Sequence, residues 1–243
     1  MKRWSLLLLL LLLCGCGTKP PSAAVSTAQE EVTAAEQAAE ETEPLGYVAL
    51  TFDDGPTPAH TARLLDGLKE RNVRATFFLA GYRLEGNEEL VRRMRREGHQ
   101  IGNHTYRHAQ LTTLTTADAL ADLAACDLAL CTLLGEREYW VRPPYGSIGG
   151  EVCSRLDVPV VCWSVDPLDW TDSDAARVAE HILDTVKDGD IVLLHDCYAS
   201  TVDAALRVVD GLQARGLRLV TVERLLEVKG VAAQGGRVYY RAG

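Results

Sequence analysis

Apolar positions along this chain change their period several times, and each change predicts an element. Tyr47–Phe52, Ala75–Ala80 and Gln100–His104 are compact, β-rich apolar runs. Thr61–Arg71 (Leu64, Leu65, Leu68), Asn87–Glu97 (Leu90, Val91, Met94) and Thr116–Leu134 carry apolar residues at helical spacing, the last opened by a Thr/Asp cap. Further strands are predicted at Tyr139–Arg142, Val158–Asp166, Asp190–Leu194 and Leu217–Val222, with helices at Gly149–Leu156, Asp174–Lys187 and Ala199–Arg215. Two stretches break the alternation. Residues 1–16 hold Lys2, Arg3 and the eight leucines Leu6–Leu13, a signal-peptide pattern too short for a bilayer span of about 20 residues. Residues 17–45 are rich in Thr, Pro, Ser, Ala, Gln and Glu. They have too little apolar surface to offset chain entropy and read as a disordered acidic tether.

Strand–helix alternation with apolar strands implies parallel strands covered by helices, an α/β fold. The spacing over residues 46–243 suits an irregular (β/α) barrel of about seven strands better than an open doubly wound sheet. No Gly-x-Gly-x-x-Gly follows the first strand, so a dinucleotide fold has no support. In such barrels chemistry gathers at the C-terminal ends of the strands, and polar residues collect there in this chain. Successive strand ends give Asp53-Asp54-Gly55, His104-Thr-Tyr-Arg-His108, Arg142-Pro-Pro-Tyr145, Asp166-Pro-Leu-Asp169-Trp170 and His195-Asp196. Two histidines four apart across one turn, with a carboxylate, make a common ligand set for a catalytic divalent metal. Gly55-Pro56 supplies the turn that lets both Asp53 and Asp54 serve one site.

Charge and cysteine content narrow the class. With 25 Lys+Arg against 34 Asp+Glu, the net charge of −9 gives no basic footprint for nucleic acid. Residues 1–45 hold three bases and six acids, so the remainder carries −6. Leu13-Cys14-Gly15-Cys16 resembles the bacterial lipobox, whose last cysteine is diacylated and becomes the mature N-terminus. That implies lipidation at Cys16, a membrane anchor of more than one chain, and an extracytoplasmic lipoprotein held at the bacterial cell membrane. Five cysteines then remain (126, 131, 153, 162, 197); an odd number cannot all pair, and they read as small buried hydrophobes.

The strand-end motifs resemble those of the polysaccharide deacetylases of carbohydrate esterase family 4, the NodB-homology domain. The matches are Thr51-Phe-Asp-Asp-Gly55, His104-Thr-x-x-His108, Arg142-Pro-Pro-Tyr145, Asp169-Trp170 and Leu193-x-His195, in family order. The resemblance implies hydrolysis of N-acetyl groups on a β-linked amino sugar. It assigns Asp54, His104 and His108 to one divalent ion, Zn2+ first, with Co2+ or Mn2+ as alternatives. It makes Asp53 the general base and His195 the general acid, oriented by Arg142 and Asp169 respectively. The Tyr145 N–H corresponds to the oxyanion donor, and Trp170 and Leu193 to the walls of an acetyl-methyl pocket.

The expected substrate is a glycan, first of all peptidoglycan (N-acetylglucosamine or N-acetylmuramic acid). Chitooligosaccharide or exopolysaccharide comes second, acetylated xylan third. No protein partner is expected. A glycan-binding lipoprotein without catalysis is the alternative of another class, though it has no need to keep both Asp53 and His195. A metal phosphodiesterase would call for more ligands and a second metal. His99 reads as structural, His60 and His181 as helix-surface residues, and Asp166 as a turn former. The Arg92, Arg93, Arg95, Arg96 cluster reads as a solvated face offset by Glu88, Glu89 and Glu97. Asp196 either shapes the site or caps the following helix.

Overall fold

The computed structural model describes residues 43–135 and 138–243. The signal, the lipobox with Cys16, and residues 17–42 of the tether lie outside the described residues. The element order is β1 (Gly46–Asp53), α1 (Pro58–Glu70), β2 (Thr76–Leu79), α2 (Glu88–Arg96), β3 (Gln100–Asn103), α3 (Thr116–Leu134) and α4 (Gly150–Cys153). It continues with β4 (Val160–Val161), α5 (Ala175–Thr185), β5 (Ile191–His195), α6 (Ala199–Ala214), β6 (Leu217–Leu219), α7 (Val222–Val228) and β7 (Val238–Tyr239).

The strands pair in the order β3-β2-β1-β5, with β6 also on β1, all parallel. A parallel sheet must be covered on both faces, and β1 divides its side chains accordingly. Val48, Leu50 and Phe52 face a helix-covered layer with Phe77, Leu79, Leu64, Leu65, Met94 and Val208. Ala49 faces inward with Phe78, Val161, Ile191 and Tyr239. β4 and β7 form a second, parallel pair. Single bridges join the two sheets, Asn103–Val141 and Val141–Val160 on one side and Asp190–Arg241 on the other, while Val165–Val192 ties the segment after β4 to β5. The strands therefore make an irregular barrel in which bridges stand in for ladders at the seam.

Four expected elements differ. The strand over Tyr139–Arg142 is one bridge at Val141, cut short because Pro143 and Pro144 lack the N–H a ladder needs. Val158–Asp166 is a strand only at Val160–Val161 and a bridge at Val165, since this segment leaves one barrel partner for another. Leu217–Val222 stops at Leu219, and Thr221 caps a helix unforeseen in the sequence, accepting the Arg224 N–H at 3.2 Å. Gly149–Leu156 is helical for one turn. The C-terminal segment supplies β7. The Thr115 cap of α3 is as expected, its hydroxyl accepting the Asp118 N–H.

Candidate active site

The register sets the site. Asp53 lies beside His195 and Thr51 beside Leu193 across β1 and β5, so these four side chains share the inner face. Asp54 then turns, with φ of 70°. Five of the six non-glycine residues with positive φ (Asp54, Thr105, His108, Tyr145, Leu168) sit in the strand-end loops. Strain of this kind persists only where surroundings enforce it.

Here the enforcers are visible. Asn103, fully buried, accepts the Thr105 N–H at 2.7 Å and donates to Leu123 O and Asp127. Asp122 of α3 accepts the Tyr106 and Arg107 N–H groups, each at 3.1 Å, and the Arg107 Nε at 2.6 Å. Together they fold the loop that carries both histidines. Neither residue stood out in the motifs. Asp122 did leave a signal: a carboxylate on the same helical stripe as Ala119, Leu123, Cys126 and Leu130.

Asp54 Oδ1 lies 3.3 Å from His104 Nε2 and 3.0 Å from His108 Nε2. These three residues are the one metal-capable cluster among the described residues, their ligand atoms within 4.8 Å of one another. His104 Nδ1 is 2.7 Å from the Arg142 carbonyl. A carbonyl only accepts, so the ring proton is on Nδ1 and the Nε2 lone pair faces Asp54. Asp54 Oδ1 is itself buried without a hydrogen bond. Electron-rich atoms converging in this way call for a cation, and the oxygen–nitrogen–nitrogen donor set suits a divalent ion. Burial opposes the charge on Asp54, but His104 and His108 outweigh it and hold the carboxyl far below its usual range.

Asp53 is 3% exposed. Its Oδ1 accepts from Arg142 Nη1 at 2.8 Å, leaving Oδ2 3.7 Å from His104 Nε2. Arg142 is wholly buried between Phe78 and Trp163, 4.2 and 5.7 Å from the ring centroids. Its remaining donors go to Thr51 Oγ1, Val161 O and Cys162 O. Arg142→Met leaves the Asp53 charge buried and unpaired, and is expected to lower unfolding stability by about 3–5 kcal/mol. Urea denaturation at neutral pH measures this, and an unchanged midpoint would contradict the pairing.

On the other side, Asp169 accepts the His195 backbone N–H and contacts His195 Nδ1, both at 2.8 Å, and accepts from Thr201 Oγ1 at 2.7 Å. Burial disfavours the charged ring of His195, but Asp169 outweighs it, helped by Asp53 and Asp54, and raises the pKa to about 9. A raised folded-state value stabilises fully below the unfolded value near 6.5 and is lost as pH rises through about 9. The melting-temperature gap between wild type and His195→Gln should therefore shrink from pH 6.5 to 9.5. A constant gap would contradict the coupling.

The other residues fall as follows. Tyr145 (φ 60°) keeps its N–H free of any acceptor among the described residues, and its ring lies 5.2 Å from His108. Trp170 is exposed on the loop after Val165, while Leu193 is buried in β5. Asp166 forms a turn, accepting the Leu168 N–H. His99 is structural: Nδ1 accepts the Ala75 N–H, and burial lowers its pKa to about 4. Asp196 caps no helix. It bonds the Thr61 hydroxyl and packs against Gly55, where a Cβ would collide with its carboxylate. The five cysteines are free. On α2, Arg92 and Arg96 pair with Glu89, and Arg93 pairs with Glu97 and with Asp66 of α1.

A family model for polysaccharide deacetylases matches residues 40–157. Peptidoglycan-N-acetylmuramic acid deacetylase PdaC of Bacillus subtilis is 40% identical over 182 residues, which are 75% of this chain and 39% of PdaC. The chain thus spans about two-fifths of the length of that relative. A peptidoglycan-N-acetylglucosamine deacetylase of Bacillus cereus is 36% identical over 216 residues, 78% of this chain and 97% of that protein. Among solved structures, PdaC superposes with a TM-score of 0.75 at 39% identity, covering 78% of this chain and 94% of that one. A family 4 acetyl xylan esterase from Clostridium thermocellum, in complex with a cobalt ion, gives 0.76 at 32%, covering 80% and 98%. Strand order, site geometry and these likenesses agree, and the chain belongs to the polysaccharide deacetylase family.

Proposed function

We propose that this protein is a metal-dependent hydrolase that removes N-acetyl groups from an amino-sugar polymer, with peptidoglycan as its substrate. The observation that carries the reading is the pairing of two differently held proton carriers over one centre. Asp53 has Oδ1 fixed by Arg142 and Oδ2 turned to the Asp54–His104–His108 cluster. His195, beside it on β5, has Nδ1 fixed by Asp169.

Asp54, His104 and His108 are the residues to hold the metal, with Zn2+ as the proposed ion. A divalent ion held there supplies Lewis acidity, polarising the acetamide carbonyl and making water acidic enough to lose a proton near neutral pH. Asp53 Oδ2 receives the proton of the attacking water as the new C–O bond forms. The free Tyr145 N–H donates to the oxygen that becomes negative, and such a donor is worth about 3–4 kcal/mol in other hydrolases. His195, charged up to about pH 9, gives its Nε2 proton to the nitrogen as the C–N bond breaks. Acetate and the free amine leave, and Asp53 and His195 return to their starting states through solvent. Leu193 and Trp170 are proposed to wall the acetyl methyl.

At the N-terminus, diacylation of Cys16 is proposed to hold the enzyme on the outer face of the bacterial cell membrane, with peptidoglycan in reach. Metabolic labelling with a lipid probe, abolished by Cys16→Ser, tests the anchor. Acetate release from purified peptidoglycan against chitooligosaccharide tests the substrate. Faster release from peptidoglycan supports the reading, and release from chitooligosaccharide alone would replace it.

A further inference from the structure

Three arginines stand near the mouth, and two are committed. Arg142 is bound to Asp53 and Arg107 to Asp122. Arg83 has no carboxylate partner among the described residues. Its Nε donates to Tyr82 Oη at 2.9 Å and its guanidinium lies 5.3 Å from the Tyr82 ring centroid, which leaves the two Nη groups uncommitted. It is half-buried, where an unmatched cation is unfavourable.

The backbone beneath it is fixed. Gly81–Arg83 is a single 3-10 turn at the end of β2. Its Gly81 and Tyr82 N–H groups bond Thr105 O and Tyr106 O, each at 2.9 Å, and Asn87 Nδ2 holds Arg83 O at 2.9 Å. That turn therefore abuts the loop carrying His104 and His108, and the Ala80 N–H just before it bonds Gly55 O at 3.2 Å beside Asp54. Arg83 thus springs from the rim of the site, where its charge favours the ionised forms of Asp196 and Cys197. The exposed Tyr82 flanks it on its own turn, and a second exposed tyrosine, Tyr198, lies at the site with its ring 6.5 Å from that of His195. The result is a rigidly mounted, forked cation beside the reacting centre, with its fork open.

We propose that Arg83 selects amino sugars bearing a carboxylate next to the acetamido group, as muramic acid does through the lactyl ether on C3. This rests on the deacetylase reading above. The acetamide on C2 has to sit over the Asp54–His104–His108 cluster, so a substituent on the adjacent carbon falls beside that cluster, where Arg83 stands. A guanidinium fork matches a carboxylate with two parallel hydrogen bonds, which a neutral hydroxyl at C3 cannot reproduce. The carboxylate is either the lactyl acid itself or one on the peptide attached through it.

The test measures kcat/KM for acetate release by wild type, Arg83→Met and Arg83→Lys on three substrates. These are chitooligosaccharide, glycan strands stripped of peptide to leave the lactyl acid free, and peptide-bearing strands. Arg83→Met is expected to lose about tenfold more on at least one acidic substrate than on chitooligosaccharide, the scale of a charge-assisted hydrogen bond. The acidic substrate that loses more identifies the carboxylate. Arg83→Lys, which keeps the charge without the fork, should recover part of the loss. Equal losses on all three substrates, no loss on any, or a wild type inactive on both acidic substrates would overturn the proposal while leaving the enzyme a deacetylase. Acetate from none of the three with wild type would overturn the deacetylase reading itself.

Discussion

Asp53→Asn is expected to lower kcat for acetate release by about 10²–10⁴-fold, the usual contribution of a positioned general base, with metal still bound. The amide keeps the size of the carboxylate and can still meet Arg142, but it cannot take a proton from water. Asp53 is nearly inaccessible and tied through Oδ1 to a buried guanidinium, so no neighbouring group can swing into its place. Metal content and kcat are measured on the same preparation. Full activity in the variant would remove Asp53 from the chemistry, and loss of metal would make it a ligand instead.

The adjacent residue should behave in the opposite way. Asp54→Asn is expected to reduce metal content from about one ion per chain to near zero, and activity with it. Asp54 offers the only anionic oxygen of the cluster, and that oxygen has no hydrogen-bond partner in the fold. Replacing it by an amide leaves two imidazoles, a weak set for a hard or borderline divalent ion. Elemental analysis after dialysis reads the result, and retained stoichiometric metal would contradict the assignment. Two neighbouring aspartates with separable phenotypes would be hard to explain by general damage to the β1 turn.

The grouping of the candidate residues was more legible in the sequence than the lengths of the strands that carry them. Asp53, Asp54, His104, Arg142 and His195 lie at or next to a strand end or bridge, and His108 and Asp169 on the loops that follow, so the strand–helix alternation was enough to predict one shared mouth. Strand lengths at the seam were not legible. Val158–Asp166 reads as one apolar run, yet apolarity reports burial and says nothing of which partner each residue meets; here the segment serves two. The cap at Thr221 was masked in a similar way, because Val220 and Val222 extend the apolar pattern of β6 into a helix. The loop scaffold was hidden for another reason. Asn103, Asp122 and Thr201 are held in pairings across 15 to 32 positions of sequence, and no local period marks a partner that distant. Asp196 was open between shaping the site and capping the next helix; it caps none, and its contacts with Gly55 and Thr61 put it behind the β1 turn that carries Asp53 and Asp54.

The central claim is that hydrolysis depends on a cation held by Asp54, His104 and His108. Its most direct measurement is acetate release from purified peptidoglycan by the protein as isolated, after chelator treatment and dialysis, and after adding back Zn2+. The account predicts release that falls to background on chelation and returns with about one ion per chain. Release undiminished after the metal has been removed would contradict it.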